Sequence, residues 1–328
     1  MSVIATLTAG FETLNRRLWL VLFPVGLNLV LWCGPRISIA PLVRRIATLW
    51  LLSPAAGAYN QTQIVAWRQR LEELARSINL LDALAVVTPN TDVLSRLLVY
   101  PFTNILTMPL LAVSPDPRTA PAPLRPPGIE LHDCTSLFVT TTVLWLAGVF
   151  LSALFLGLIA QIVRDDELEP AALFKQVGAS GVRIASYLLL GSVGVALLML
   201  PLLLRPDPSP PTLTVWLAFI LWLGAGFYLF FTPAALVINE VNPLRAVWYS
   251  VQVVRMDPWS ALGLIGSMTM LHTGLPLLWQ QLTTWPMGLL IAITGQAYVG
   301  TGLIVACMMF YLDRYRQWRE LVMAAGPR

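Results

Sequence analysis

The sequence predicts an all-α fold: a polytopic integral membrane bundle of six transmembrane helices, with inner interfacial amphipathic helices and a helical extracytoplasmic insertion. Three observations predict it. The 328-residue chain is 57% hydrophobic and only 12% charged, far from the roughly 25% charged residues of soluble domains. Its mean hydropathy is +0.71. Six stretches without a single Asp, Glu, Lys or Arg are long enough, or nearly so, for a hydrocarbon core that takes about 20 helical residues.

Span one runs from Leu18 to Cys33, behind Arg16 and Arg17. Basic residues before an apolar run also describe a signal peptide, but Gly34-Pro35-Arg36 follows where a small-x-small cleavage site would stand. An uncleaved span is the reading that fits. The others are Ser136 to Val163, Ala185 to Leu204, Leu213 to Ile238, Trp259 to Trp279 and Gly288 to Leu312. Cations gather in alternate connections: Arg164, Lys175 and Arg183; Arg245 and Arg255; and Arg314, Arg316 and Arg319 after span six. The connection between spans three and four has Arg205 as its sole cation, and Gln280 to Met287 has no charge. The positive-inside rule then places both termini in the cytoplasm of a plasma-membrane protein. The organisation is residues 1–33 for an N-terminal interfacial helix and span one, 34–135 for the insertion, 136–312 for a five-span bundle with two interfacial helices, and 313–328 for a cytoplasmic tail.

Within the insertion, Ile64, Trp67, Leu71, Leu74, Ile78, Leu81 and Ala85 recur at steps of three and four, the mark of an amphipathic helix. Arg68, Glu72 and Arg76 are spaced for i,i+4 ion pairs. The helix is read as packing on its own domain or on the bilayer surface, with docking of a protein partner as the functional alternative. Leu97 to Val113 is apolar and uncharged but holds Pro101, Asn104 and Pro109. A seventh span there would invert the later cations, so it is read as surface-lying or re-entrant. Ser114 to Gly128, with six prolines in fifteen residues, reads as an extended tether. Cys33 and Cys134 bracket the insertion. They are read as two lone thiols, with a disulfide closing a loop of about 100 residues as the alternative, one that chain-entropy arguments put near ~4.7 kcal/mol. Cys307, mid-span, reads as a small apolar residue.

The connection between spans four and five is built as a helix. Asn242 suits an N-cap and Pro243 a first turn. Leu244, Val247, Trp248, Val251 and Val254 share a face, Arg245, Gln252 and Arg255 turn away, and Asp257-Pro258 stops it. Glu167-x-x-Pro170 repeats Glu240-x-x-Pro243 before a second short amphipathic segment, and each leads into a span with a Gly-Ser pair and a later proline, Pro201 or Pro276. Phe11 and Leu14 before Arg16 fit more loosely. The chain therefore reads as three copies of one unit: an inner interfacial helix, a span going out and a span coming back, related about an axis along the membrane normal.

The pattern at Glu240, Pro243, Ala246, Ser250, Val254, Arg255 and Trp259 resembles a feature of a broad group of six-span bacterial membrane proteins. That group includes the membrane domain attached to some glycerophosphodiester phosphodiesterases. The resemblance covers about Ser136 to Arg319 and leaves out the insertion. It implies a fold and not a reaction, because the phosphodiesterase chemistry lies in a separate barrel domain.

Catalytic signatures are missing from the sequence. His132 and His272 are the two histidines, neither with a helical metal-ligand partner, and no Walker loop, G-x-S-x-G or dinucleotide fingerprint occurs. The acidic run Asp165 to Glu169 reads as a solvated helix entrance. No cofactor, metal or nucleic-acid partner is expected. The polar residues inside spans are the sharper signal: Asn28, His272 and Gln296 fall in the outer halves, where His272 and Gln296 are placed to pair across spans five and six. The expected function is a non-catalytic membrane scaffold or accessory subunit binding lipid or protein partners. A transporter with a polar outer cavity is the alternative, and a lipid-modifying enzyme the second alternative.

Overall fold

The computed structural model describes residues 2–51, 61–77, 79–85, 128–166, 168–203, 213–282 and 286–324. The Leu97 to Val113 segment and all of the proline-rich tether but Gly128 lie outside them.

Helix α1 (Val3–Asn15) opens with Ser2 accepting a hydrogen bond from the Ala5 amide. It buries Thr6, Gly10 and Leu14, one residue per turn, along a single face. The chain then turns by 92° through a short 3-10 turn (Leu18–Val21) into α2 (Leu22–Cys33), matching the bounds expected for span one.

The insertion carries α3 (Ala40–Leu51), which the sequence reading did not anticipate, and α4 (Gln61–Ser77) followed by a 3-10 turn (Leu80–Ala85). The expected helix from Ile64 to Ala85 is thus broken near Asn79. Its buried side chain accepts from the Ile37 and Leu81 amides at 3.0 and 3.2 Å, a satisfaction no continuing helix would give. The expected Arg68–Glu72 pair forms at 3.1 Å. A parallel ladder of β1 (Arg36–Ser38) with β2 (Gly128–Glu130), also unforeseen, ties the two ends of the insertion together.

Helix α5 (Cys134–Asp165) starts at Asp133, whose carboxylate accepts from the Ser136 amide at 2.7 Å and the Ser136 hydroxyl at 2.8 Å. Helix α6 (Pro170–Leu203) is unbroken, so the amphipathic segment and span expected as separate pieces are one helix. No proline interrupts it before Pro201. Val177, Ser180, Ile184 and Tyr187 form its buried stripe, at helical spacing. Span four is divided into α7 (Leu213–Leu229) and the wholly buried α8 (Thr232–Ile238). Then come α9 (Pro243–Met256), α10 (Pro258–Leu282) and α11 (Pro286–Ala324). The last continues well past Leu312, so most of the expected tail is helix.

Among the described residues four helices are long and apolar enough to cross a membrane, or five if the bent α1–α2 pair counts as one span. By length and composition this is a multi-pass membrane protein; helix α10, expected as span five, is not among the four. The centre is made by α5, α8 and α11, which pack on one another. Phe155 and Ile159, Phe231 and Ala234, and Met308 and Tyr311 are all shut away from solvent there. Phe231 stacks on Phe310 with centroids 5.4 Å apart.

Candidate functional site

The polar residues singled out within the spans are distributed by helix register. Trp32 of α2 packs with Leu289, Ala292 and Ile293 of α11. One turn deeper on each helix stand Asn28 and Gln296, which therefore share a level. Both are sealed in, at 0% and 2% exposure. Asn28 donates to the Pro24 carbonyl at 2.7 Å, while Gln296 Oε1 has no hydrogen-bond partner. Trp279 of α10 closes on Gly295, where an added Cβ would come within 2.8 Å of the ring. Its buried Nε1 is likewise without a partner. That contact also fixes the α10–α11 register. Seven residues back along α10, half-buried His272 falls about two turns, or ~10 Å, from the level of Gln296. The expected His272–Gln296 pairing is thus not formed: it is Trp279, which the sequence reading passed over, that meets α11 here, at Gly295.

The Glu240 to Trp259 motif serves the packing of the opposite end. Ser250 is fully buried, accepts from the Phe231 amide at 3.2 Å and donates to the Tyr228 carbonyl at 2.7 Å, so it closes the break between α7 and α8. The buried face of α9 is Ala246, Ser250, Val253 and Val254. Leu244 and Trp248, of the expected apolar face, are exposed, while the small Ala246 and Ser250 lie on the side packed against the bundle. Pro243 opens the helix as expected; Arg255 and Trp259 are exposed. Glu240 adopts the left-handed conformation with φ 53° and meets Arg164 at 3.0 Å.

That pair belongs to a set of ion pairs the sequence reading missed. Arg164 holds Asp165 as well as Glu240, each at 3.0 Å. Arg17, at the α1–α2 bend, reaches the carbonyl and carboxylate of Asp166, the other non-glycine residue with positive φ among the described residues. Asp257, at the α9–α10 bend, pairs with Arg314 at 2.9 Å. Hydrogen bonds from Ser260, with Arg314 adding to them, hold the Asp257 carboxyl below the usual range. The readable signal was a charged residue at two of the helix bends, Arg17 and Asp257. A cavity of about 10 Å³ beside Arg164 is bounded by Gln161, Ser180 and Glu240, and buried Gln161 Oε1 is without a partner. Such a space is close to the minimum for one water.

Cys33 and Cys134 are exposed free thiols. The parallel ladder leaves Cys33 before its first residue and Cys134 beyond its last, so the bridge considered as an alternative is not made.

A larger, apolar groove of about 390 Å³ opens between α6, α7 and α9. Compared with protein-family models, curated proteins and solved structures, the chain matches none. Among the described residues no group of three His, Cys, Asp or Glu is arranged to hold a metal.

Proposed function

We propose that this protein is a non-catalytic membrane scaffold or accessory subunit whose six-span bundle binds lipid and protein partners. Its seat would be the plasma membrane, with both termini in the cytoplasm. The observation that supports this reading best is the filled centre. Where α5, α8 and α11 meet, Phe155, Phe231, Phe310 and Tyr311 are each at most 1% exposed, so that junction is taken up by side-chain packing. Polar groups in the spans turn to their own backbone, as Asn28 does to Pro24 and Thr301 to Ala297. The insertion, docked on α5 through its 3-10 turn, offers exposed Val65 and Trp67 to a partner. The likeness of the Glu240 to Trp259 pattern to the six-span bacterial group fits this reading as a proposal of fold.

A transporter reading draws on one observation, the two buried polar atoms without a partner on α10 and α11, Trp279 Nε1 and Gln296 Oε1. Native mass spectrometry of protein released in minimal detergent separates the two. A stoichiometric protein chain that leaves when Asn79→Ala loosens the insertion supports the scaffold. A discrete polar solute bound to the wild type and lost in Gln296→Leu replaces it with the transporter.

A further inference from the structure

Helix α3, in the insertion, has two unlike sides. At about 100° per residue, Leu42, Val43, Ile46, Leu49 and Trp50 fall within an arc of about 120°, with Arg44 and Thr48 opposite and Arg45 at the border. The apolar side is covered at its start, where Leu42 is buried. Over the next two turns it is bare: Ile46, Leu49 and Trp50 are 52%, 62% and 40% exposed.

The β-ladder fixes where that bare side sits. The Ser38 carbonyl accepts from the Leu131 amide at 3.1 Å, and the Ala40 amide that starts α3 donates to the Ser38 hydroxyl at 3.2 Å. Leu131 lies three residues before Cys134, where α5 begins, and on the other side α2 ends at Cys33, three residues before the ladder starts at Arg36. One turn into α5, Phe138 is 73% exposed, so this long apolar helix offers a lipid-facing surface almost from its first turn. Three extended residues and one helical turn hold the start of α3 no more than about 16 Å from the level of Phe138. That is the zone of the lipid headgroups. With 12 residues, or about 18 Å, α3 is too short to cross a hydrocarbon core of about 30 Å, and Arg44 and Arg45 stand within it. An apolar side ending in a tryptophan, with arginines on the polar side, is the composition of a helix lying in the interface plane. Helix α3 contains no acidic residue, and neither arginine makes an ion pair among the described residues, which leaves both charges for lipid phosphates.

We propose that α3 is a surface anchor: it lies in the headgroup layer of the leaflet at this end of the bundle, with Ile46, Leu49 and Trp50 in the acyl boundary and Arg44 and Arg45 at the level of the phosphates. The occupant of its bare side is the bilayer itself. The proposal needs only that the bundle crosses a membrane, so it goes beyond the scaffold reading and stands or falls apart from it.

The test uses the full chain in nanodiscs of phosphatidylethanolamine and phosphatidylglycerol. Cys33→Ser and Cys134→Ser remove the exposed thiols, while the fully buried Cys307 stays closed to labelling. Nitroxide labels are placed singly at Ile46→Cys and Thr48→Cys, both exposed and about 160° apart around α3. Their relaxation by dissolved oxygen, which concentrates in lipid, is compared with that by a water-soluble nickel chelate. The Ile46→Cys label is expected about 5–10 Å below the phosphates and relaxed mainly by oxygen, and the Thr48→Cys label mainly by the chelate. Two labels relaxed mainly by the chelate put the apolar side in water and overturn the proposal. An Ile46→Cys label that neither agent reaches is covered by protein, whether a partner, a second copy or another part of this chain, and overturns it too. Two labels that favour oxygen alike place α3 within the hydrocarbon and are equally against it. Should either variant melt below its parent, Trp50→Cys and Arg44→Cys sample the same two sides, and the same outcomes decide.

Discussion

Replacing Gly10 with alanine tests whether α1 is a packed part of the bundle or a helix resting beside it. A Cβ at Gly10 would lie 2.6 Å from Ala306 Cβ, 2.7 Å from its Cα and 2.8 Å from its amide nitrogen. Two of those three atoms are backbone, so no side-chain rotation relieves the contact. The helices must separate by about 1 Å, enough to forfeit a quarter to a half of each dispersion contact along the seam. Overpacking of this kind costs about 1–3 kcal/mol. Alanine also gains about 0.8–1 kcal/mol of helix propensity over glycine. The control is Gly178→Ala in α6, where the new Cβ meets nothing within 4 Å. Propensity cancels between the two variants, which leaves a difference of about 1–3 kcal/mol in favour of Gly178→Ala. Thermal melting in one detergent, followed by tryptophan fluorescence, measures it. A Gly10→Ala protein that melts with or above Gly178→Ala refutes the close α1–α11 seam.

Ser250→Ala leaves the Phe231 amide unpaired in the interior and is expected to cost about 1–3 kcal/mol; a melting temperature equal to wild type would show that the α7–α8 break does not depend on Ser250. Asn79→Ala strips the Ile37 and Leu81 amides of their acceptor at a similar cost of about 1–3 kcal/mol. Limited proteolysis should then cut the insertion faster while the melting of the bundle is kept; unchanged cleavage counts against the docking role. The Asp257 carboxyl is held below its ordinary value of 3.8, so its contribution is present above that pH and is lost as pH falls through the lowered value. Asp257→Asn should flatten the fall in melting temperature between about pH 5 and pH 3, and an unchanged slope would assign that fall to other carboxylates.

The fold was legible where a strong local signal had no tertiary competitor. Uncharged apolar runs placed α2, α5 and α11 nearly to the residue at one end or the other, and Asp257-Pro258 marked a real break. Other features depend on contacts between distant residues. The α7–α8 break at Phe230 has no glycine and precedes its proline; Ser250, twenty residues on, supplies the bonds that make it affordable. The split of the insertion helix depends on Asn79 meeting the Ile37 amide 42 residues away. Periodicity gave α9 an apolar face but not the seam through which it packs, since in a bilayer apolar side chains are as well placed facing lipid as facing protein. Leu244 and Trp248 take the outside while Ala246 and Ser250 take the seam. The site residues followed the same division: depth along a helix set Asn28 and Gln296 level, but the α10–α11 register that separates His272 from them needed the Trp279–Gly295 contact.

Three units read from sequence gain a physical logic from how the helices join. The helix that opens each expected unit packs on the helix that closes the unit before it: α6 on α5, α9 on α7 and α8, and α1 on α11. The first and last of these units also tie the bend after the opening helix to the end of the unit's last long helix. In the first, Arg17 at the bend reaches Asp166; in the last, Asp257 at the bend meets Arg314. The bond recurs with its charges exchanged, as a geometric need would produce it and a shared ligand would not, since a ligand would ask for the same sign in both places. The middle unit has no such pair because α6 has no bend for one to brace. Its connection is held instead by Arg164, across to Glu240. Asp166 and Glu240 are the two non-glycine residues with left-handed backbone among those described, a conformation that costs about 1–2 kcal/mol in an ordinary side-chain-bearing residue. Glycine would remove that cost and the carboxylate with it. Both positions keep the carboxylate, and both carboxylates meet an arginine from another segment, so at this end of the bundle the joining of units outweighs local backbone comfort.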